Sequence, residues 1–340
     1  MKFFTAAIAA TSLSLAGVVS AANSFAGSNL YYAAGLSASQ RATLLGGMQS
    51  AGMKVLRVWL DGQSTASTKV MITMLYGDTN LIEYTASMHS WNALSGGDIY
   101  GKWYGTGYFY EHSDAISGFD NRLRHILNHT HKTLGKPWKQ LNQYIFAFEA
   151  QNEAMIGKGE DYINAHLSWQ CDRANTIKST LGSSSGILVM TGGESWMSES
   201  VKSAWLNCAA LDVVAIHAYG VGDFTTSNIQ TYVNQAKSAG KKLIFQEWGA
   251  CYFNTENNNC PTGTALSTTT RNNNIKNWAS QITAAGVPWL YWQVLPNPDP
   301  HYGYDFEIGI QDPSWGTLKN AALDALTKPA AFDFTPWLNL

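Results

Sequence analysis

Short apolar runs that alternate with longer helical segments constrain the fold of this chain most. Eight runs are apolar at consecutive positions, as is typical of parallel strands buried on both faces; they cover residues 28–34, 54–59, 84–89, 144–149, 186–191, 212–217, 242–247 and 288–293. Helical patterns occupy residues 39–50, 113–134, 161–181, 228–239, 270–285 and 319–326. Eight strands that alternate with helices in one chain predict an α/β fold, a single-domain (β/α)8 TIM barrel.

An open doubly wound sheet is the alternative fold, because it uses the same alternation of strands and helices. No G-x-G-x-x-G pattern follows the first run, and this disfavours the open sheet. One segment fits a barrel poorly, since residues 61–83 lack a clean amphipathic pattern where a covering helix is needed. We expect either a short, irregular helix there or an altered gene model.

The amino terminus has the pattern of a secretory signal peptide. Lys2 provides the positive charge, residues 3–19 are mostly apolar, and Val19-Ser20-Ala21 offers small residues for cleavage. A membrane anchor fits less well, because the run is short and rich in Ala and Ser. We therefore predict a leader at residues 1–21, the barrel at residues 22–340, and a secreted, extracellular protein.

The four cysteines are candidates for disulfide bonds if the protein is secreted. Cys251 and Cys260 bracket a polar loop and would close it, which would leave Cys171 to pair with Cys208. The sequence alone permits three pairings. Asn128 begins an Asn-His-Thr sequon and is the predicted glycosylation site.

The charge of the chain and the spacing of its potential metal ligands argue against several classes of function. The chain has 340 residues, a formal charge of −2 and no run of Lys or Arg, so nothing suggests a nucleic-acid partner. No later stretch is apolar enough to span a bilayer. Cys-x-x-Cys is absent, and His125 and His129 lack the H-E-x-x-H context, so we predict no metal site. We expect a monomer.

Polar and aromatic residues follow the predicted strands at the end where a barrel carries its chemistry. They are Arg57, His89, Trp91, Asn92, Asn152, Glu153, His217, Tyr219, Glu247 and Trp292. Two carboxylates on separate strand ends, among Arg, His, Tyr, Asn and Trp, indicate glycoside hydrolysis, which needs a carboxylic acid and a second carboxylate. This chemistry needs no metal or organic cofactor. Its partner would be a β-linked polysaccharide or oligosaccharide.

The motifs around these residues resemble the active-site series of glycoside hydrolase family 5. They are "KVLRVW", "MHSWNAL", "FAFEAQNEAM", "AIHAYG", "FQEWGA" and "LYWQ", in that order. The resemblance implies that Glu153 is the general acid/base and Glu247 the nucleophile of a retaining enzyme, with the two carboxyl groups about 5–5.5 Å apart.

The same resemblance implies roles for the surrounding residues. Asn152 would hydrogen-bond the sugar 2-hydroxyl, and Tyr219 would orient Glu247. Arg57 would lie beside Glu247 and lower the pKa of that carboxyl. His89 and His217 would line the same sugar subsite, with Trp292 as its floor. We expect Glu149 to pack within or beneath the site.

The substrate class stays open between two polysaccharides. "FAGSNLYYAAGL", "KVLRVW" and "NQYIFAFEAQNEAM" resemble endo-β-1,4-mannanases, and we predict that activity. His89 departs from the mannanase pattern and favours an endo-β-glucanase, the alternative. A secreted carbohydrate-binding pseudo-enzyme is a third hypothesis, which the irregular segment 61–83 supports. Trp103, Tyr104 and Tyr108 fall in a predicted long loop, as further sugar platforms or as packing residues.

Overall fold

Eight parallel strands close into a barrel in the computed structural model, which describes residues 22–60, 83–298, 301, 305–338 and 340. The strands follow one another around the barrel in chain order, and the first pairs with the eighth. They are β1 (Ala26–Asn29), β2 (Val55–Trp59), β3 (Glu83–Ser87), β4 (Ile145–Glu149), β5 (Leu188–Met190), β6 (Val213–His217), β7 (Lys242–Trp248) and β8 (Trp289–Tyr291). The closed barrel confirms the predicted fold over the open sheet.

Helices surround this barrel in the described part of the chain. They are α1 (Ala38–Ser50), α2 (Trp91–Ser95), α3 (Ile99–Glu111), α4 (Ser113–Asn128), α5 (Glu160–Ala165), α6 (Ser168–Leu181), α7 (Met197–Ser200), α8 (Ser203–Leu206), α9 (Thr226–Ser238), α10 (Thr268–Ala284) and α11 (Trp315–Ala325). A two-stranded sheet of β9 (Val294–Leu295) and β10 (Ile308–Gly309) follows the barrel. No described helix has both the length and the apolar composition that crossing a bilayer requires.

The strands are buried almost throughout, because helices or packed side chains cover both of their faces. The first strand lies at residues 26–29 rather than at the predicted 28–34. It packs against β2 so closely that a Cβ on Gly27 would lie 2.2 Å from the carbonyl oxygen of Val55. Only glycine fits such a close approach. The strand ends at Asn29, because the aromatic residues that follow it leave the barrel wall.

Two predicted helices differ from those observed. The helix predicted at residues 113–134 ends at Asn128, and the one predicted at 161–181 is divided into α5 and α6. The turn between α5 and α6 begins at His166, whose φ of −123° departs from helical geometry.

The prediction of a long loop around Trp103, Tyr104 and Tyr108 is wrong, because these residues lie on α3. Asp98 begins this helix by accepting a hydrogen bond from the backbone N–H of Gly101, at 2.8 Å. Glycines along the segment hid the helix, and one of them, Gly105, adopts non-helical backbone angles within it. The helix leaves the rings of Trp103 and Tyr108 about two-thirds exposed.

Both predicted disulfide bonds are confirmed. Cys171 on α6 is bonded to Cys208, just after α8, and Cys251 is bonded to Cys260 in the loop after β7. Asn128 is exposed at the end of α4, where its side-chain amide donates to the carbonyl of Arg124 at 2.8 Å. Its glycosylation stays a prediction.

The predicted leader, at residues 1–21, lies outside the described residues. The irregular segment 61–83 does so as well, apart from its last residue, which begins β3.

Candidate active site

Arg57 connects the polar groups at the carboxyl ends of the strands. It lies in β2, is fully buried, and its guanidinium donates to Glu149 and Glu247 at 2.5 and 2.6 Å. It also donates to the side-chain oxygens of Asn152 and Asn29, at 2.5 and 3.1 Å. Burial alone would lower the pKa of Arg57, but the two carboxylates raise it above its ordinary value. The arginine therefore acts as a fixed cation that joins four strands.

Glu247 is held from two sides at the end of β7. Arg57 binds one of its oxygens, and the Tyr219 hydroxyl donates to the other at 2.9 Å. Burial raises the pKa of Glu247, while the charges of His217 and Arg57 and the Tyr219 hydrogen bond oppose that rise. The predicted lowering by Arg57 is therefore present, but burial outweighs it. Burial and the charge of Glu247 keep the pKa of Tyr219 well above its usual range, so this phenol stays a donor.

Glu153 reaches the barrel mouth from the sharp turn after β4. Its φ is 50° and that of Met155 is 71°, a left-handed conformation that non-glycine residues adopt at a cost of about 1–3 kcal/mol. The turn directs Glu153 towards His217, whose Nδ1 lies 3.0 Å from Oε1 of the carboxyl. The side-chain amide of Asn152 lies 3.4 Å from the other oxygen. An oxygen of Glu153 lies within 4.8 Å of an oxygen of Glu247.

A family model agrees with this geometry. The model described as cellulase (glycosyl hydrolase family 5) matches residues 100–298, a span that includes both carboxylates. The chain belongs to glycosyl hydrolase family 5. A search of curated proteins gave no match.

Solved structures show the same fold as this family 5 protein at low sequence identity. An endo-1,4-β-mannanase from Rhizomucor miehei has a TM-score of 0.70 and 18% identity, over 91% of this chain and 99% of that one. An endo-β-1,4-mannanase from Thermotoga petrophila has a TM-score of 0.68 and 19% identity, over 90% and 77%. An exo-β-1,4-mannosidase from Opitutaceae bacterium strain TAV5 has a TM-score of 0.61 and 16% identity, over 93% and 63%.

Gln246 is a polar residue of the candidate site that was not predicted from the sequence. Its side-chain nitrogen donates to Glu149 at 2.6 Å, and its side-chain oxygen lies 2.8 Å from Nε2 of His217. Glu149 is fully buried and bound to Arg57, so it packs within the candidate site, as predicted. The sequence shows that Gln246 precedes Glu247, but it does not show which groups the Gln246 side chain faces.

Glu194 is a second missed carboxyl, in the turn after β5. It is fully buried, and neither of its oxygens has a hydrogen-bond partner among the described residues. Burial, followed by the nearby charges of Glu153 and Glu199, raises its pKa well above the usual range. Burial therefore favours the protonated form of Glu194, and the charge of Glu153 acts in the same direction. The "GGE" motif before Trp196 was the available signal, because it follows a buried strand.

Three rings form an aromatic wall beside Arg57: Tyr31, Trp59 and Trp292. Trp292 lies parallel to Tyr31, with centroids 6.1 Å apart, and edge-on to Trp59 at 5.6 Å. The Arg57 guanidinium lies over the Trp59 ring, 4.1 Å from its centroid. Of these rings only Trp292 was predicted in the site. Tyr31 is about half exposed and extends the wall towards solvent.

His89 lies below the site rather than along it. It is fully buried, its ring packs against Phe109, and its nitrogens lie 2.7 Å from Asp98 and 2.8 Å from Gln151. The expectation that it lines the sugar subsite is therefore corrected, since protein groups occupy both nitrogens and it contacts neither Glu153 nor Glu247.

The two residues predicted after His89 begin α2, where the backbone N–H of Trp91 donates to the carbonyl of Asn152 at 3.1 Å. Trp91 covers Gly157, where an added Cβ would lie 2.1 Å from the indole ring. Asn92 is exposed on α2. Their predicted sugar contacts stay predictions.

Glu153, His217 and Glu247 also offer ligand atoms close enough for a metal ion, all within 4.8 Å of one another. However, Nδ1 of the imidazole faces Glu153, while Nε2 lies 2.8 Å from the Gln246 oxygen and 3.6 Å from Glu247, so the two carboxylates face different nitrogens. Each group already has a hydrogen-bond partner. The arrangement suits proton transfer between these groups better than metal binding.

Proposed function

We propose that the protein is a secreted, retaining endo-β-glycoside hydrolase that acts on cell-wall polysaccharide, with β-1,4-mannan as its substrate. The observation that carries the proposal is the proximity of Glu153 and Glu247, with oxygens within 4.8 Å. Retaining enzymes place their carboxyl groups about 5–5.5 Å apart, whereas inverting enzymes need about 6.5–9.5 Å to admit a water.

The surroundings of the two carboxyls support different roles. Arg57 and Tyr219 hold both oxygens of Glu247 and favour an anion that attacks the anomeric carbon. Glu153 is more exposed and is hydrogen-bonded to His217, a group that exchanges protons near neutral pH. Glu153 would protonate the leaving oxygen and then accept a proton from the attacking water.

The mannan preference is supported by two lines of reasoning. The solved structures with this fold include proteins named as endo-mannanases from two organisms. His89, the residue that favoured a glucanase, is buried with both nitrogens occupied and gives no reason to prefer glucan. The disulfide bonds fit a secreted protein, since such bonds persist in oxidising compartments.

Parallel hydrolysis of β-1,4-mannan, carboxymethyl cellulose and mixed β-glucans tests this function. Reducing-sugar release should be greatest on mannan, a rapid fall in viscosity should indicate endo action, and the first product seen by NMR should be the β-anomer. Activity on glucans alone would overturn the mannan assignment. Binding to mannan without product would instead identify a pseudo-enzyme, and an α-anomeric first product would exclude retention.

A further inference from the structure

We infer that Gln246 is a positioning residue that fixes which nitrogen of His217 carries the ring proton, so that His217 and Glu153 hold one exchangeable proton between them. This inference rests on the proposed function, and it assigns the acid/base role to a coupled pair rather than to Glu153 alone. It follows from a chain of hydrogen bonds that begins at Arg57.

The first link is the orientation of the Gln246 amide. Arg57 donates to Glu149 through two nitrogens, and Gln246 lies 2.6 Å from the second oxygen of Glu149. A carboxylate held in this way accepts hydrogen bonds, so the group that faces it must be the NH2 of Gln246. The amide oxygen of Gln246 then faces the imidazole of His217, at 2.8 Å.

The second link is the position of the ring proton. An amide oxygen only accepts, so Nε2 of His217 carries a hydrogen in both the neutral and the charged ring. Nδ1 is therefore a lone pair when the ring is neutral and a donor when the ring is charged. In the neutral ring Nδ1 accepts from protonated Glu153, and in the charged ring it donates to the Glu153 carboxylate, across 3.0 Å.

Removing the shared proton would place the Nδ1 lone pair opposite a carboxylate oxygen. This proton-free state is unfavourable, so the pair readily recovers its proton. The charges around His217 also favour retention of the proton. Burial and Arg57 would lower the pKa of His217, but Glu247 and Glu153 outweigh them and raise it.

A β-bulge explains why adjacent residues can serve both carboxyl groups. Ile216 pairs with Phe245, but His217 pairs with Glu247, so β7 has one extra residue at Gln246. A bulge changes the direction of side chains on the longer strand. Gln246 thus reaches His217 and Glu149, while Glu247 reaches Arg57 and Tyr219.

The imidazole itself is held in place by close backbone packing. A Cβ on Gly193 would lie 2.1 Å from the His217 ring, and Gly193 has a φ of +68°. The ring therefore has no room to tilt on that side. Its tautomer is left to its hydrogen-bond partners.

The proton balance of the reaction follows from this assignment. As Glu247 bonds to the anomeric carbon, the glycosidic bond breaks, and the departing oxygen keeps the electron pair and takes the shared proton. The pair is then proton-free. Water next attacks the anomeric carbon and gives one proton back to the pair, and the bond to Glu247 breaks to release the carboxylate.

Replacement of Gln246 by Met tests the inference, because Met keeps the bulk and removes the acceptor. The ring proton can then move to Nδ1 and donate to ionised Glu153, which stabilises the proton-free pair. The alkaline limb of kcat/KM should therefore move to lower pH, by about one unit. At pH values above the wild-type limb, hydrolysis of oligosaccharides should fall about tenfold. Hydrolysis of a dinitrophenyl glycoside, whose dinitrophenolate leaves without protonation, should fall less than about twofold.

Gln151→Met is the matched control. Gln151 is equally buried and contacts His89 at 2.8 Å, but this histidine contacts neither catalytic carboxyl. The control should leave the alkaline limb where it is in the wild type. An equal shift in both variants, or no shift in Gln246→Met, would overturn the inference.

Nuclear magnetic resonance of 15N-histidine protein gives a readout that needs no hydrolysis. The His217 signals, assigned with His217→Asn, should show the proton on Nε2 in the wild-type neutral ring and a shift towards Nδ1 in Gln246→Met. A wild-type neutral ring protonated on Nδ1 would overturn the inference. If wild-type protein hydrolyses no polysaccharide, the proposed function fails while this spectroscopic result still decides the tautomer.

Discussion

Glu247 and Glu153 are two carboxyls of one type in one barrel mouth, yet they are held very differently. Groups from β2 and the end of β6 bind both oxygens of Glu247. Glu153 follows a left-handed turn, and its closest partner is a titratable imidazole, at 3.0 Å. The comparison supports the two proposed roles, because fixed donors stabilise an anion at Glu247, whereas a partner that can itself gain or lose a proton suits an acid/base at Glu153.

The largest expected effect is that of Glu247→Gln, which removes the anion that Arg57 and Tyr219 bind. Turnover should fall about 10⁴-fold or more, as in other enzymes that lose a nucleophile. Arg57 keeps its contact with Glu149, so the fold should survive. Reducing-sugar assays and thermal unfolding check both parts, and near-normal activity would remove the nucleophile assignment.

The next effect is that of Glu153→Ala, which should depend on the leaving group. Hydrolysis of polysaccharide should fall by about 10²–10⁴, the usual contribution of general acid–base catalysis. A dinitrophenyl glycoside should still form the glycosyl-enzyme, and added azide should then give a β-glycosyl azide. Glu247→Ala with azide should give the α-product instead, so identical products from both variants would contradict the two roles.

Tyr219→Phe should weaken the contacts of Glu247 without removing its charge. Loss of one hydrogen bond to a charged group costs about 1.5–3 kcal/mol, which corresponds to about a ten- to hundredfold loss of kcat. The phenol is well supported, because Asn258 in the Cys251–Cys260 loop donates to the Tyr219 carbonyl at 2.8 Å. Steady-state kinetics with a polysaccharide and a dinitrophenyl glycoside check this, and an effect on the polysaccharide alone would place Tyr219 with Glu153.

The smallest effect on activity is expected from Glu194→Gln, which should instead alter stability. The pKa of Glu194 is raised by burial, so the native state keeps a proton that the unfolded chain releases above its ordinary pKa. Wild-type stability from this group is therefore lost as pH rises above that value. The melting temperature of Glu194→Gln, relative to that of the wild type, should therefore be higher at pH 7 than at pH 4. The difference should be about 2 °C for each kcal/mol of unfolding free energy that the wild type loses. An equal change at both pH values would show that Glu194 is not held neutral.

Much of the fold was predictable, because buried parallel strands are apolar at successive positions and end at polar residues. The interval between β2 and β4 was the least predictable. The helix α3 was missed, since several glycines and aromatic residues disguise its pattern. Residues that bind charges across the barrel, such as Arg57, were predictable from their place at strand ends.

The sequence by itself determined the order of the strands and the placement of Glu153 and Glu247 at their ends, whereas the cysteine pairing was one of three that it permitted. These features depend on local apolar patterns and on the resemblance of short motifs. Only the tertiary structure decided that Gln246 faces His217, that Glu194 is buried without a partner, and that His89 lies beneath the site. The physical reason is that side-chain direction depends on strand register and on a bulge, and these arise from contacts between segments far apart in the chain.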